Sequence, residues 1–76
     1  MKIYLISQYE NTGYNTYGAA VVIAESEEAA RLTHPCGGEE WIDESWSAPE
    51  EVEVELLGEA IEGSHAGVVC ASYHAG

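Results

Sequence analysis

The sequence predicts an α+β fold, a small antiparallel sheet in the order β-β-α-β-β with one short helix packed on one face. Four short runs of strand-forming residues are separated by turn-forming segments, and one stretch between the second and third runs begins like a capped helix. An antiparallel sheet covered by one helix is the economical way to bury that pattern, because each amphipathic element must cover another. At 76 residues the chain has room for one domain, residues 1–76, with one thin core. A chain this short buries only about 60% of its unfolded-state surface on folding. Its 46% hydrophobic content is nevertheless far above the composition that leaves a chain disordered.

The first run, residues 2–8 (KIYLISQ), mixes β-branched, aromatic and aliphatic residues without a helical period, which predicts a central strand with most of both faces covered. Residues 9–18 (YENTGYNTYG) are rich in Asn, Thr and Gly, the residues of turns and left-handed backbone, and predict a long exposed loop. Residues 19–24 (AAVVIA) supply the second strand and, with the first, an antiparallel hairpin. Ser26 stands where an N-cap belongs, with Glu27 and Glu28 in the first turn, where the helix dipole favours negative charge. A helix of about two turns carrying Ala29, Ala30 and Leu32 should end by His34, since Pro35 disfavours helical geometry in the residue before it.

From Cys36 to Glu50 there is no clean period, only two Trp among acids and small polar residues, which reads as an irregular excursion. Residues 51–57 alternate clearly. Val52, Val54 and Leu56 should face the core, and Glu51, Glu53 and Glu55 should face water. Gly58 marks a bulge or a strand end, Glu62-Gly63-Ser64 a turn, and residues 67–73 (GVVCASY) a last strand.

Fourteen acids, thirteen of them Glu, stand against Lys2 and Arg31, for a formal charge of −12. Nucleic-acid binding rests on Lys and Arg neutralising phosphates, so direct binding to DNA or RNA is not expected, nor is binding to an anionic membrane. A basic protein is the natural complement. Solubility alone is the competing explanation, although a net charge of about 2 to 8 suffices for that purpose. No basic-then-apolar leader and no apolar run of about 20 residues is present, which points to the cytoplasm. Two cysteines are too few for the disulfide framework of a small secreted scaffold.

Candidate partner-binding residues fall in three groups. Glu51, Glu53 and Glu55 place carboxylates about 6.6 Å apart along a strand; joined by Glu59 and the excursion acids, they could imitate the charge of a nucleic-acid backbone. The same residues could simply be the solvated face and protected edge of a sheet. Trp41 and Trp46, among Glu39, Glu40, Asp43 and Glu44, are aromatic anchors ringed by acid, suited to stacking by Arg of a basic partner or to filling a scarce core. Tyr14 and Tyr17, with Asn11 and Asn15, have the chemistry of an adaptable recognition loop, or of a hairpin connection folded back on the sheet.

No catalytic signature emerges. Nucleophilic catalysis needs Cys or Ser beside a His and an orienting group, and no local pattern supports pairing Cys36 or Cys70 with His65. Gly37-Gly38 lacks the Lys and the spacing of a phosphate loop. His34, Cys36, Cys70 and His74 have zinc-binding atom types, but His34-x-Cys36 is a poor chelating pair and buried Cys is commonly a small hydrophobe. The sequence therefore predicts no enzyme, no metal and no cofactor.

The strings MKIYLISQ, GYNTYGAAVVIAESEEAARLTHP and GVVCASYHAG, which cover both ends and the middle of the chain, resemble a family of short acidic proteins of bacteria, phages and mobile elements. Small acidic proteins of that setting are similar in type to anti-CRISPR and other counter-defence inhibitors, several of which occupy nucleic-acid sites by presenting carboxylates. The resemblance implies an inhibitor that meets Lys and Arg lining the guide-RNA or target-DNA channel of a CRISPR effector complex in the host cytoplasm. Two alternatives stay open: an adaptor domain whose acidity gives only solubility, and a regulator using His34, Cys36, Cys70 and His74. An exposed strand edge could also pair two copies, so both monomer and dimer are open.

Overall fold

Among the described residues the regular elements are, in chain order, β1 (Lys2–Ser7), β2 (Thr16–Ala24), α1 (Glu27–Arg31), a 3-10 turn (Pro49–Glu51), β3 (Glu53–Glu59) and β4 (Gly67–His74). The computed structural model describes residues 1–9, 16–36, 46–47 and 49–74. The strands form one antiparallel sheet in the spatial order β3-β1-β2-β4. β1 and β2 pair as a hairpin in a register that sets Tyr4 opposite Val22 and Ile6 opposite Ala20, with Leu5 opposite Val21 between them. Residues directly opposite share a face, so Tyr4, Ile6, Ala20 and Val22 project to one side and Ile3, Leu5, Val21 and Ile23 to the other.

The first side is the core. Tyr4, Ile6, Ala20, Val22 and Ala24 from the sheet cluster with Ala30 of α1 and with Trp46 and Val52 from the segment before β3. Trp46, Ile6 and Val22 have no solvent exposure at all. Three of the eight members are Ala, so Trp46 and Tyr4 supply much of the apolar volume. β1 is a central strand, flanked by β3 and β2, as its composition predicts. Burial alternates along β1, with Tyr4 and Ile6 buried while Ile3 and Leu5 are half-buried on the opposite face.

Three bulges reset the alternation of the strands, each leaving one residue unmatched in the ladder. They fall at Gly18 in β2, Leu57 in β3 and Val69 in β4. A bulge makes two residues oppose one and re-aims side chains on either side of it. At Gly18 it lets β2 begin three residues before the run at Ala19, with Thr16 buried and Tyr17 packed against the core. In β3 the strand begins at Glu53, because residues 49–51 form the 3-10 turn rather than a first strand segment. Val52 is buried and Val54 partly buried, as their alternation predicts, but Leu56 lies 54% exposed at the sheet edge.

The helix is shorter than expected. Ser26 caps it in an extended conformation, its Oγ accepting the N–H of Ala29 at 3.1 Å, as its position before two Glu predicts. Regular structure ends at Arg31, and Leu32 is exposed rather than core-facing, leaving Ala30 as the buried contact. Arg31 then ties the helix to the start of β3: its guanidinium donates to the carbonyls of Pro49 and Val52.

The connection from β3 to β4 runs from one edge of the sheet to the other in residues 60–66. Three interstrand spacings amount to about 14 Å, which seven residues span with slack. The Ala60 N–H donates to Met1 O at 3.0 Å as the chain crosses the end of β1. A turn follows in which Ser64 N donates to Ile61 O at 3.1 Å and Gly63 has φ +90°, a left-handed conformation that glycine adopts without strain.

At the opposite end of β1, a buried amide holds three segments together. Gln8 Nε2 donates to Tyr17 O at 2.8 Å, Gln8 N donates to Gly18 O at 3.2 Å, and Ser47 Oγ donates to Gln8 Oε1 at 2.7 Å. Gln8 is 2% exposed and Ser47 3%. Burying polar groups at this depth is tolerated because each bond here replaces one lost to water.

Candidate protein-binding surface

β3 is an edge strand and carries three of the acids expected to bind a partner. Glu53 lies opposite Ser7 and Glu55 opposite Leu5, so both project to the side of the sheet away from the core, and both are exposed. The expected row is split beyond that pair. Glu51 belongs to the 3-10 turn, exposed but off the strand. The bulge at Leu57 turns Glu59 to the other face, opposite Lys2. The expected row of three carboxylates at strand spacing, joined by Glu59, is thus reduced to the pair Glu53 and Glu55.

That pair stands beside an apolar surface. Ile3 and Leu5 of β1 and Ala19, Val21 and Ile23 of β2 form the middle of the open face, all half-buried, and Cys70 and Ser72 of β4 complete it, both exposed. A hollow of about 210 Å³ is lined by Leu5, Ala19, Val21, Cys70 and Ser72 with Ala20. Next to it, a cleft of about 270 Å³ is lined by Leu5, Ser7, Tyr9, Glu53, Val54 and Glu55. Tyr9 is 73% exposed. Two carboxylates, a phenol and an aliphatic floor can receive an extended cationic side chain, its stem on Leu5 and its head between the acids. The open-face apolar residues were not singled out in the sequence. The signal was present in Ile3, Leu5, Val21 and Ile23, which make both parities of β1 and β2 apolar.

The remaining candidates fall elsewhere. Trp46 is corrected from surface anchor to core: its ring is fully buried and cannot meet a partner without unfolding. Tyr17 is half-buried, edge-on to His34 with ring centroids 6.2 Å apart and planes at 86°. Tyr14, Glu39, Glu40, Trp41, Asp43 and Glu44 lie outside the described residues.

Of the zinc-type residues, Cys70 is set apart from the neighbouring His34 and Cys36. His34 is 4% exposed, its ring 6.4 Å from that of Trp46, and its Nδ1 accepts the N–H of Cys36 at 3.1 Å. Cys70, opposite Val21, projects from the open face on the far side of the sheet. Neither cysteine forms a disulfide, and both are exposed rather than small buried hydrophobes. Among the described residues no group of three or more His, Cys, Asp or Glu is placed to hold a metal ion, and no helix is long and apolar enough to cross a membrane.

Comparison with protein-family models, with curated proteins and with solved structures returned no significant match.

Proposed function

We propose that this chain acts by binding a basic protein surface, and that the contact is centred on Glu53 and Glu55 at the exposed edge of β3. The observation that carries the reading is their placement: two exposed carboxylates on one face of an edge strand, beside a cleft that Leu5 and Tyr9 line. The formal charge of −12 adds a long-range attraction for Lys- and Arg-rich surfaces and repels phosphate backbones. The resemblance to counter-defence inhibitors makes the nucleic-acid channel of a CRISPR effector complex the first partner to test, with the chain blocking DNA or RNA engagement in the host cytoplasm. Partial mimicry of backbone charge is confined in this reading to one pair of carboxylates and the acids around it.

The test is binding of purified CRISPR effector complexes to the immobilised chain across a salt series, followed by competition with target DNA. Association that weakens with salt and is displaced by DNA is expected, because a basic groove shared with phosphate predicts both effects. Binding that DNA does not displace would move the contact away from the nucleic-acid channel. No binding at any salt would leave solubility as the meaning of the charge.

A further inference from the structure

Antiparallel sheets with one face in water ordinarily alternate apolar-in and polar-out. β1 and β2 break that rule, for the face away from the core carries Ile3, Leu5, Ala19, Val21 and Ile23. The core-side cluster contains α1, Trp46 and Val52, so these described segments all cover the other face. A contiguous apolar patch rimmed by polar groups is the usual signature of a surface that another molecule covers.

We infer that this open face docks a helix of the partner, one with an apolar ridge and Lys or Arg along a single flank. The inference rests on the proposed binding of a basic protein and names the shape of that contact. Its charge argument is the asymmetry of the two borders. The β3 border presents Glu53 and Glu55, whereas residues 63–74, which include the whole of β4, contain no acid. A helix lying along β1 and β2 would therefore meet carboxylates on one side and Cys70 and Ser72 on the other. The apolar stretch from Ala19 to Ile23 is about 13 Å long by strand rise, matched by a helix of roughly nine residues. A second copy is the poorer occupant, because apposing two such faces would bring two pairs of Glu53 and Glu55 and two chains of charge −12 together.

The experiment is an amide-shift titration of the full chain by NMR with three stapled helical peptides of about 15 residues, a length at which unconstrained helices are marginal. One carries a Leu ridge flanked by Arg on one side, one the same ridge flanked by Glu, and one the Arg flank without the ridge. The first is expected to shift the amides of Leu5, Ala19, Val21 and Cys70, and to bind about tenfold tighter than either control, a difference near 1.4 kcal/mol. The double variant Leu5→Thr/Val21→Thr, checked for an unchanged melting temperature, is expected to lose that advantage. Equal binding by the Arg peptide lacking the ridge would overturn the helix-docking inference while leaving the basic-surface reading intact. Shifts confined to α1 would also overturn it, as would a dimer of the chain that Val21→Thr dissociates. Failure of every peptide, together with failure of the effector complexes to bind, would overturn both.

Discussion

Val21 and Val22 are neighbours in β2 with identical side chains, yet Val22 has no solvent exposure while Val21 remains half-buried on the opposite face. The same contrast runs through β1, between buried Tyr4 and Ile6 and half-buried Ile3 and Leu5. What separates the faces is what lies over them. On one side Ala30, Trp46 and Val52 complete a packed cluster; on the other, apolar strand residues end at Glu53 and Glu55. The sheet is thus apolar on both faces, and the described elements seal only one. The difference teaches that residue type alone does not distinguish a core face from a recognition face. The excess of apolar surface over available cover does.

Removing the cover should have the largest effect. Trp46→Ala deletes a fully buried ring, a change that costs about 3–5 kcal/mol. A core in a chain of this size supplies little more than that, so circular dichroism should find the variant largely unfolded at room temperature. A thermal transition close to wild type would place Trp46 outside the core. Val22→Thr comes next. It keeps the side-chain shape but puts a hydroxyl into the cluster, at a cost of about 1–3 kcal/mol, visible as a clear drop in melting temperature.

A smaller loss is expected from Ser26→Ala, which removes the side-chain oxygen that caps α1. The loss should be about 1 kcal/mol, with glycine at the same position milder. Urea titration with an unchanged m-value would measure it. Val21→Thr, the partner of the Val22 change, should alter stability by no more than about 0.5 kcal/mol. Equal losses at positions 21 and 22 would erase the distinction between the faces.

The parts of this structure that were legible in the sequence depend on local chemistry. The cap at Ser26, the strand runs of β1 and β2 and the alternation around Val52 to Glu55 are each set by near neighbours. Bulges were not legible, because the residue left unmatched is decided by the partner strand. Gly58 hinted at one, and the ladder places it at Leu57, where it carries Glu59 off the acidic row. The fate of Trp46 was open for a similar reason. No period surrounds it, and its burial comes from long-range packing into the cluster that also holds Ile6 and Val22, while the adjacent Ser47 bonds Gln8. The candidate site was half legible. Glu53 and Glu55 announced themselves by alternation, but the apolar face beside them read as interior, since a strand that is apolar at both parities looks the same whether it is covered or waiting to be.

The most direct test of the account compares one purified CRISPR effector complex binding to three forms of the full chain by isothermal titration: wild type, Glu53→Gln/Glu55→Gln and Leu5→Thr/Val21→Thr. Each double variant is expected to keep the wild-type melting temperature and to lose about tenfold or more in affinity, since a charged border and an apolar centre contribute to one interface. Wild-type affinity in both variants, or no measurable affinity in any of the three, would contradict it.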